Sequence, residues 1–597
     1  MNWEYGQAFV LVTTAVKDSR EWHQNEICYV KSISLGDSSS GYGAIVYVQN
    51  QIQFIHYANK GYQAEVGLLS RKIMVQGAAS DSEPTDRDPL NCTESRWKWG
   101  DYGTHCPNTE LTGYGGHIIV TNGGKGYVEG VQLYRMGQTN VLGRYPFHFH
   151  GLGNNCTGCY LRDSSIYRSF YRCVSIHGTN NLTINENVGY DVTGYCFYLE
   201  DGVEENNTLS FNLAAHIHYL GTAPSGNGQT TAINVASATL TLPADVSASG
   251  FYITNVRYNI IGNAASGGWS GFAFPSLVRP VGLYRNLNIR PSSRLALIID
   301  GNTAHSTGWY WYHASGFYFG GSLYYDPNGV YTYNAGRDFT FYYGDRPTCK
   351  VDMCSTSGGC DDWCSSKNQA WVRITNSKVF LVPSDGLNSW SGRMEVVGFE
   401  VHDVGLSMEL LESGVLIKNL LAECRSGEIW LMPSSCRATY MTGNGFYWYD
   451  TGQKHIMTSA LFRNCGYKSN LFNQYDNSTD RGCDDSPLTG CHSSSTTFGF
   501  LTHSDQYTPQ IMQATNNITF QRCGRRFYLH DWRGDNMNST VSGRTQNWID
   551  TDGSVSGLGV STLIGSGQQA AGHWWRVDSQ GNLPPLIRIS YRLMMKF

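Results

Sequence analysis

The feature that most constrains the fold of this chain is a short repeat between Gly143 and Leu220. Brief apolar segments recur there, and each ends at a polar bend, as at Asn187–Val188 and Asn212–Leu213, with Ser165–Ile166 in the equivalent place of an earlier unit. From Ile166 to Val188 is 22 residues, and from Val188 to Leu213 is 25. A unit this short cannot bury its own apolar face, so successive units have to stack.

Strand-like pieces of a few residues, with Asn or Gly at the bends, indicate a right-handed parallel β-helix. Asn tolerates the left-handed backbone conformation, which is a physical reason for it to recur at corners. Asn263–Ala264 and Asn302–Thr303 repeat the corner pattern. Helical periodicity is scarce throughout, so we predict an all-β chain with disulfide-pinned loop inserts.

The predicted β-helix and its inserts divide the chain into four segments. Residues 1–113 are predicted to form an all-β N-terminal segment that holds the end of an upstream domain and the first coils. The helix then runs over 114–340, with an insert near 221–248 that is rich in Thr, Ala and Ser. A Cys-rich insert over 341–368 and further coils and C-terminal strands over 369–597 complete the plan.

Composition narrows the range of partners. Charged residues make up 15% of the chain, against roughly 25% in an ordinary soluble protein. The formal net charge is −5 and there is no long basic run, so we expect no nucleic-acid partner. No apolar run approaches the ~18 residues of a membrane span, so we expect none in this chain.

Cysteines and sequons predict a secreted, N-glycosylated protein at the cell surface or outside the cell. There are 17 Cys, clustered at loop-like places, and the odd number leaves at least one thiol free or paired with another chain. Met1 is not followed by a signal peptide, so we expect the numbering to begin inside a longer natural protein. The seven N-x-S/T sequons are at Asn91, Asn155, Asn181, Asn206, Asn477, Asn517 and Asn538.

A set of motifs spread over nearly the whole chain resembles the extracellular region of the cell-surface hyaluronidase family, with its transmembrane and secreted cell-migration-inducing members, and fibrocystin-like proteins share the pattern. The resemblance implies a β-helix and cleavage of hyaluronan. In that family an eight-glycine domain with catalytic residues precedes the helix, and this chain begins at what resembles its closing strand, with Gln7 where an acidic residue is expected. The motifs are Trp3–Gly6, Glu65–Ile73, Gly115–His117, Met136–Gln138, Tyr145–His150, Arg172–Val174, His177–Gly178, Glu200–Gly202, Glu204–Glu205, Asn302–Ser306 and Asp550–Val555.

Two cysteine pairs are predicted to form disulfides. Cys173 and Cys196 are about one coil apart and both match Cys positions of that family, so we predict an inter-coil bridge. Cys156 and Cys159 have the spacing of a redox motif. They lack a thioredoxin-like context, so a structural disulfide is the favoured reading.

Imidazoles and carboxylates in successive coils form the main candidate site. His148 and His150 are two residues apart, so on a strand they point to the same side. His177 follows about one coil later, and Glu200 and Asp201 about one coil after that. Such a ladder suits a metal, or an acid/base pair acting on a glycan. The alternatives are glycan contact and internal polar groups that satisfy each other's hydrogen bonds.

Two further predictions concern ligands. Glu200, Asp201, Glu204 and Glu205 make an acidic loop that could supply oxygen ligands to Ca²⁺, the alternative being a solvated bend. The ring-rich stretch 308–333 is read as core, sugar-stacking platform or protein interface, and so many rings should reach a surface. The residues predicted to contact glycan or a partner are Trp309, Tyr310, Trp311, Tyr312 and Tyr318.

These observations support two hypotheses of function. The first is a structural extracellular glycoprotein that self-assembles, or forms part of a cell-surface or matrix fibre, because the ends of a coil are unpaired edges that need a partner. The second is a glycan-cleaving enzyme of hyaluronidase type whose site is the face formed by His148, His150, His177, Glu200 and Asp201. The partners expected are extracellular glycans, other surface glycoproteins or further copies of the chain.

Overall fold

The structure is a computed structural model of the 597-residue chain. Described here are residues 2–16, 18, 23–36, 43–85, 112–220, 245, 247–277, 279–291, 294, 296–308, 314–325, 331–334, 372–389, 393–411, 414–426, 444–449, 455–465, 498–501, 512–523, 527–530, 545–555, 561–566, 573–577 and 589–590. A 3₁₀ turn lies at Gly282–Tyr284, and no helix in these residues is long and apolar enough to span a membrane.

The remaining regular structure is β-strand. The strands are β1 (Ala8–Leu11), β2 (Glu26–Leu35), β3 (Ala44–Val48), β4 (Val66–Leu68), β5 (Ile73–Gln76), β6 (Ile118–Val120), β7 (Tyr127–Glu129), β8 (Val131–Tyr134), β9 (Phe147–Gly153), β10 (Tyr160–Arg162), β11 (Ser165–Ser169), β12 (Val174–Thr179), β13 (Thr183–Asn185), β14 (Val188–Thr193), β15 (Phe197–Leu199), β16 (Thr208–Ser210), β17 (Leu213–His218), β18 (Ser249–Tyr252), β19 (Asn259–Ile261), β20 (Ala264–Gly267), β21 (Ser270–Ser276), β22 (Ile298–Asp300), β23 (Thr303–His305), β24 (Phe317–Tyr325), β25 (Tyr331–Asn334), β26 (Val372–Thr375), β27 (Lys378–Ser389), β28 (Arg393–Val397), β29 (Glu400–Leu411), β30 (Gly414–Lys418), β31 (Leu421–Glu423), β32 (Asn444–Tyr449), β33 (His455–Arg463), β34 (Phe498–Leu501), β35 (Met512–Gln521), β36 (Phe527–His530), β37 (Thr545–Asp550), β38 (Ser561–Ser566), β39 (His573–Val577) and β40 (Ile589–Ser590).

Strands β5 to β24 wind into a parallel β-helix with three strands in each coil, and further parallel pairs continue it as far as β37, whereas β25 and β38–β40 pair antiparallel. One column runs β7–β10–β13–β16–β19–β22, a second runs β5–β8–β11–β14–β17–β20–β23, and a third runs β6–β9–β12–β15–β18–β21–β24. Each strand pairs in parallel with the strand one coil away. The all-β parallel helix predicted from the repeat is thereby confirmed, and β5 places its first coil before residue 113.

The register confirms one predicted equivalence and corrects another. Val188 pairs with Leu213, and Leu213 with Ala264, as the corner pattern indicates. Val188 pairs with Ser165 rather than Ile166, so the predicted alignment of the earlier coil was wrong by one residue. The polar Ser164, not Ser165, stands where the later coils have Asn.

A buried ladder of asparagines explains the recurrence of Asn at one corner. The side-chain amide of Asn187 donates to the carbonyl of Leu161 (2.9 Å) and to Oδ1 of Asn212 (3.0 Å). Asn212, Asn263 and Asn302 continue the same pattern. The left-handed conformation predicted for these residues belongs instead to their predecessors, such as Glu186 with φ +54°. Asn is therefore selected here for its hydrogen bonds, whereas Asn181 and Asn206, at another corner, do have positive φ.

The core of the helix is a stack of aromatic and aliphatic side chains. Phe197, Phe251, Phe272 and Phe317 lie one above another in the third column, with ring centroids 4.8, 4.7 and 4.6 Å apart. That spacing equals the separation of neighbouring strands, because each ring sits at the same place in its coil. Apolar residues facing inward along each strand leave the alternate residues on the outer surface.

The N-terminal strands form a separate antiparallel sheet with order β3–β2–β1–β4. Residues 52–56 form a loop. Val10, Val12 and Leu69 pack against Val188 and Leu213 of the second column. The approach is close, since a Cβ added at Gly67 would lie 2.7 Å from Val188. The sheet is therefore seated on the outside of the helix.

In the described residues, disulfides occur both within a coil and between successive coils. Cys173 is bonded to Cys196, the pair that the sequence predicted, and Cys156 is bonded to Cys159. A third bridge joins Cys424 to Cys465. The Cys-rich insert at 341–368 and most of the insert at 221–248 lie outside the described residues.

Candidate functional site

The predicted histidine ladder lies on the outer face of the third column. In β9, Phe147 and Phe149 point into the core, so His148 and His150 face outward. His177 of β12 pairs directly with His150. The amide of Glu200 donates to the carbonyl of Ile176, which puts Glu200 beside His177 in the next coil. Strand alternation and coil spacing together bring these residues side by side.

Glu200 is the central carboxylate of the site. Its Oε1 accepts a hydrogen bond from the Tyr145 hydroxyl (3.1 Å), and its Oε2 accepts one from Ser175 (2.9 Å). Oε2 also lies 3.8 Å from Nδ1 of His177 and 3.9 Å from Nε2 of His148. Burial alone would raise the pKa of Glu200, but the charges of its basic neighbours lower it. Glu200 is therefore a buried, ionised carboxylate.

His177 carries a proton on both ring nitrogens. Nε2 donates to Oδ2 of Asp201 (3.0 Å), and Nδ1 lies 3.0 Å from Nδ1 of His150. Burial would lower the pKa of His177, but the hydrogen bond to Asp201 and the charge of Glu200 outweigh it and raise the pKa to about 9. The protonated ring donates to His150, which then serves as the acceptor.

His148 is held neutral. Burial lowers its pKa to about 4, although the charge of Glu200 acts in the opposite direction. Nδ1 lies 3.3 Å from the carbonyl of Gly143, so a neutral ring donates there and leaves Nε2 without its proton. Among the described residues this buried Nε2 has no hydrogen-bond partner. Two adjacent imidazoles are thus in opposite protonation states.

A buried arginine supports the site from one side. Arg172 binds both carboxylate oxygens of Asp245, at 2.8 and 2.9 Å. Its guanidinium lies 3.7 Å from the ring centroid of Tyr198 and 4.6 Å from that of Tyr145. The other terminal nitrogen approaches Glu200 to 4.0 Å. Arg172 therefore fixes Tyr145 and contributes positive charge next to Glu200.

The 3₁₀ turn covers the other side of the site. The amide of Tyr284 donates to Oδ2 of Asp201 (3.3 Å), and the Tyr284 ring meets His177 edge to face with centroids 5.7 Å apart. Gly178, with φ +53°, allows this approach, since a Cβ there would lie 2.1 Å from the Tyr284 hydroxyl. His150 and Tyr284 are half-buried, so the site opens to solvent beside them.

The four carboxylates predicted as a calcium site are divided among separate partners. Glu204 accepts hydrogen bonds from backbone amides, at Gly178 (2.8 Å) and Gly202 (2.8 Å), and burial raises its pKa to about 7. Glu205 pairs with Arg294 (2.5 Å), away from His177. Glu200 and Asp201 serve the imidazoles. A calcium ion at this loop stays a prediction, and these side chains do not form a single set of ligands.

The three imidazoles have the elements of a metal site as well as those of an acid/base site. One ring nitrogen from each of His148, His150 and His177 lies within 4.8 Å of the others. Asp201 holds the far nitrogen of His177, which is the usual arrangement behind a metal-bound imidazole. A metal would have to displace the proton shared by His150 and His177, because their nitrogens are only 3.0 Å apart.

The structure also places the other predicted surface residues. Tyr318 is fully buried and meets Trp269 edge to face at 4.9 Å, so its prediction as a surface contact was wrong: its ring is part of the core. Trp309, Tyr310, Trp311 and Tyr312 lie outside the described residues. The sequons at Asn155, Asn206 and Asn517 are exposed, and Asn181 is half-buried. Asn91, Asn477 and Asn538 lie outside the described residues.

Sequence reasoning missed the residues that hold the ladder in place. Tyr145 and Arg172 stand inside motifs that had been noticed, but nothing in the sequence joins them to Glu200. Asp245 and Tyr284 lie outside the strands of the coil. Only the alternation around His148 and the coil spacing were readable, because those are local properties.

Together, the fold and the cluster define a parallel β-helix protein with an imidazole–carboxylate site on one outer face. Residues 113–310 match the family model described as the CEMIP beta-helix. The predicted resemblance is confirmed by this match and by the relatives below.

Three relatives place the chain among larger proteins. A G8 domain-containing protein of Dictyostelium discoideum is 36% identical over 97% of this chain, which spans 34% of that relative. The human cell surface hyaluronidase CEMIP2 is 32% identical over 43% of this chain and 20% of its own length. Human Fibrocystin-L is 28% identical over 52% of this chain and 7% of its own length. The chain thus spans about a third of its Dictyostelium relative.

Among solved structures, the catalytic domain of a GH87 alpha-1,3-glucanase matches 91% of this chain and 88% of its own, with 10% identity and a TM-score of 0.28. A likeness this low carries no argument about the site.

Proposed function

We propose that this chain is the β-helical part of an extracellular, N-glycosylated protein that cleaves a polysaccharide at the cluster of His148, His150, His177 and Glu200. The observation that carries the proposal is the contrast in protonation between neighbours. An ionised carboxylate lies 3.8 Å from a protonated imidazole, at the base of a site that opens beside His150. Groups whose pKa values are pushed apart in this way are typical of acid/base pairs.

The cluster suits hydrolysis of a glycosidic bond. His150 is the most exposed imidazole of the cluster, and it protonates the leaving oxygen. His177 replaces that proton through the 3.0 Å contact between the Nδ1 atoms of the two rings. Glu200 accepts a proton from the attacking water as the C–O bond breaks. Asp201 keeps His177 oriented, and Arg172 and Tyr145 keep Glu200 in place. The similarity to a human protein named a cell surface hyaluronidase supports hyaluronan or a related polysaccharide as the substrate.

The test is depolymerisation by the purified full-length protein. Hyaluronan and related polysaccharides are incubated with it, with and without calcium, and chain length is followed by size-exclusion chromatography with light scattering. His177→Gln and Glu200→Gln should each slow cleavage by about 10²–10⁴-fold, the usual contribution of a general acid or base.

His402→Gln is the matched control. This substitution also removes a buried imidazole held by a carboxylate, since Nδ1 of His402 lies 3.1 Å from Oε2 of Glu423. His402 belongs to β29 and lies outside the cluster. The activity of His402→Gln should equal that of the unaltered protein. Absence of cleavage of any polysaccharide, or equal rates in all four proteins, would contradict the proposal.

A second candidate function is a structural, self-associating component, and one observation favours it. Among the described residues no strand pairs with the outer edge of β5, β6 or β7, and apolar side chains are exposed there, including Ile73 at 60%, Met74 at 50% and Tyr127 at 54% exposure. An unpaired edge of this kind pairs readily with another chain. Ile73→Lys with Met74→Lys should abolish any concentration-dependent assembly seen by analytical ultracentrifugation and electron microscopy. Monomers at all concentrations in the unaltered protein would refute this candidate.

A further inference from the structure

We propose that Asp191, His216 and His218 bind a divalent transition metal ion of the Zn²⁺ class, with Asp18 holding His216 in position. This second site lies where the N-terminal segment meets the second column of the helix, and it is separate from the cluster around Glu200. One ligand atom from each of Asp191, His216 and His218 lies within 4.8 Å of the others. The ligand atoms of a tetrahedral Zn²⁺ site are roughly 3.3 Å apart, so small side-chain movements suffice.

The coil register builds this site. Tyr190 pairs with Ala215 and Val192 with Ile217, which places Asp191 opposite His216. Both have positive φ, +56° and +58°, and so both lie at the same corner of successive coils. Oδ1 of Asp191 lies 3.0 Å from Nε2 of His218. The side chains are therefore fixed by the backbone of two adjacent strands, as a preformed site requires.

Asp18 supplies the outer support that metal-bound imidazoles usually have. This fully buried carboxylate lies 2.6 Å from Nδ1 of His216 and accepts further hydrogen bonds from Asn25 (2.8 Å) and Ser266 (3.0 Å). A neutral His216 that donates from Nδ1 to Asp18 presents Nε2 without a proton. A carboxylate–imidazole pair of this kind raises the basicity of the nitrogen that faces the metal.

Two separate ion pairs, Asp18 with His216 and Asp191 with His218, leave a third imidazole of the cluster unexplained. The ring of His23 lies 4.1 Å from that of His216, and the ring of His218 lies 4.2 Å from it on another side. Nδ1 of His23 is buried and has no hydrogen-bond partner among the described residues. The three rings therefore form one cluster, and His23 is a candidate for the fourth ligand of the proposed ion.

The chemistry of the donors selects the kind of ion. Imidazole nitrogens with a single carboxylate suit Zn²⁺ and related transition metals, whereas Ca²⁺ and Mg²⁺ prefer oxygen. The location gives the ion a structural role. Asp18 and His23 belong to the connection between β1 and β2, and His216 and His218 belong to β17. The metal would therefore clamp the N-terminal sheet onto the helix.

The test is a metal titration of the chelator-treated full chain with ZnCl₂, followed by calorimetry and by metal analysis after gel filtration. His218→Ala should bind one equivalent fewer than the unaltered protein. Asp18→Asn should weaken the same site by about 10–100-fold, the usual effect of losing an outer carboxylate. His148→Ala should keep this equivalent, because it alters only the other cluster.

His305→Ala is the matched control. His305 also bridges the N-terminal segment and the second column, with its Nε2 2.8 Å from Glu65, but it lies outside the cluster. It should bind as many equivalents as the unaltered protein. Co²⁺ in place of Zn²⁺ gives a second readout that needs no variant, since a tetrahedral site shows strong visible absorption. Equal stoichiometry in His218→Ala and the unaltered protein, or absence of that absorption, would overturn the proposal.

Discussion

The ion pair of Arg172 and Asp245 provides the sharpest test of how the site is held together. We predict that Asp245→Asn destabilises the protein strongly. Arg172 is 4% exposed and Asp245 is 1% exposed, and the two make a bidentate contact at 2.8 and 2.9 Å. Asn keeps the size of the side chain and an oxygen for the amide of Tyr195, so the change removes little except the charge.

The magnitude follows from what remains around the guanidinium. Without Asp245 the nearest carboxylate is Glu200, at 4.0 Å from one nitrogen and already bonded to Tyr145 and Ser175. Aromatic faces such as that of Tyr198 compensate only in part. Removing one partner of a buried pair leaves an uncompensated charge, which lowers the free energy of unfolding by about 3–5 kcal/mol.

The assay is guanidinium-induced unfolding, followed by circular dichroism and tryptophan fluorescence. The matched control is Glu129→Gln, which breaks an arginine–carboxylate contact of the same 2.8 Å length to Arg162 on the surface and should leave the midpoint unchanged. Arg172→Met combined with Asp245→Asn should recover part of the loss, because both charges leave together. Equal midpoints for Asp245→Asn and Glu129→Gln would refute the buried-charge reasoning.

Three further predictions concern the coil itself and its proton balance. Cys173→Ser should lower the free energy of unfolding by about 3 kcal/mol, the value for a loop of this length. A reducing agent should make the stabilities of Cys173→Ser and the unaltered protein more alike, because it opens the same disulfide in the unaltered protein. Asn263→Ala should lower the free energy of unfolding by about 2–4 kcal/mol, measured by urea unfolding, because it removes the oxygen that accepts from both the backbone amide and the side-chain amide of Asn212. The raised pKa of His177 stabilises the fold below pH 6.5, and this contribution, about 3 kcal/mol, should be lost as the pH rises through about 9. His177→Gln should lack the loss between pH 7 and 9, and an identical pH profile would contradict the assignment.

The repeat was readable from the sequence because stacking is forced by short units. Asn212–Leu213 and Asn263–Ala264 stand at the same corner even though an insert separates them, since both coils supply a side-chain amide to the ladder. The predicted alignment of Val188 with Ile166 was wrong by one residue because this corner carries no Asn. That coil uses Ser164 in place of Asn, and a Ser in a Ser-Ser-Ile sequence does not show which residue occupies the corner.

The candidate site was partly readable for a related reason. His148, His150 and His177 follow strand alternation and coil spacing, which are local rules. His216 and His218 obey the same rules, and Asp191 stands one 25-residue repeat before His216, so the sequence carries a signal for the second cluster as well. Tyr145 and Tyr284 were not readable, because their positions depend on how corners and loops fold back over the coil.

By itself, the sequence determined the stacking of the coils. It set the period of the apolar segments, the cysteines one coil apart and the side of the strand that bears the histidines. The tertiary structure alone decided what surrounds those histidines, namely Arg172 and Asp245 on one side and Tyr284 on the other. It also decided that Asp18 reaches His216 across 198 residues. The reason is physical: stacking is a nearest-neighbour property that each repeat encodes, whereas burial and protonation depend on segments that only the completed fold brings together.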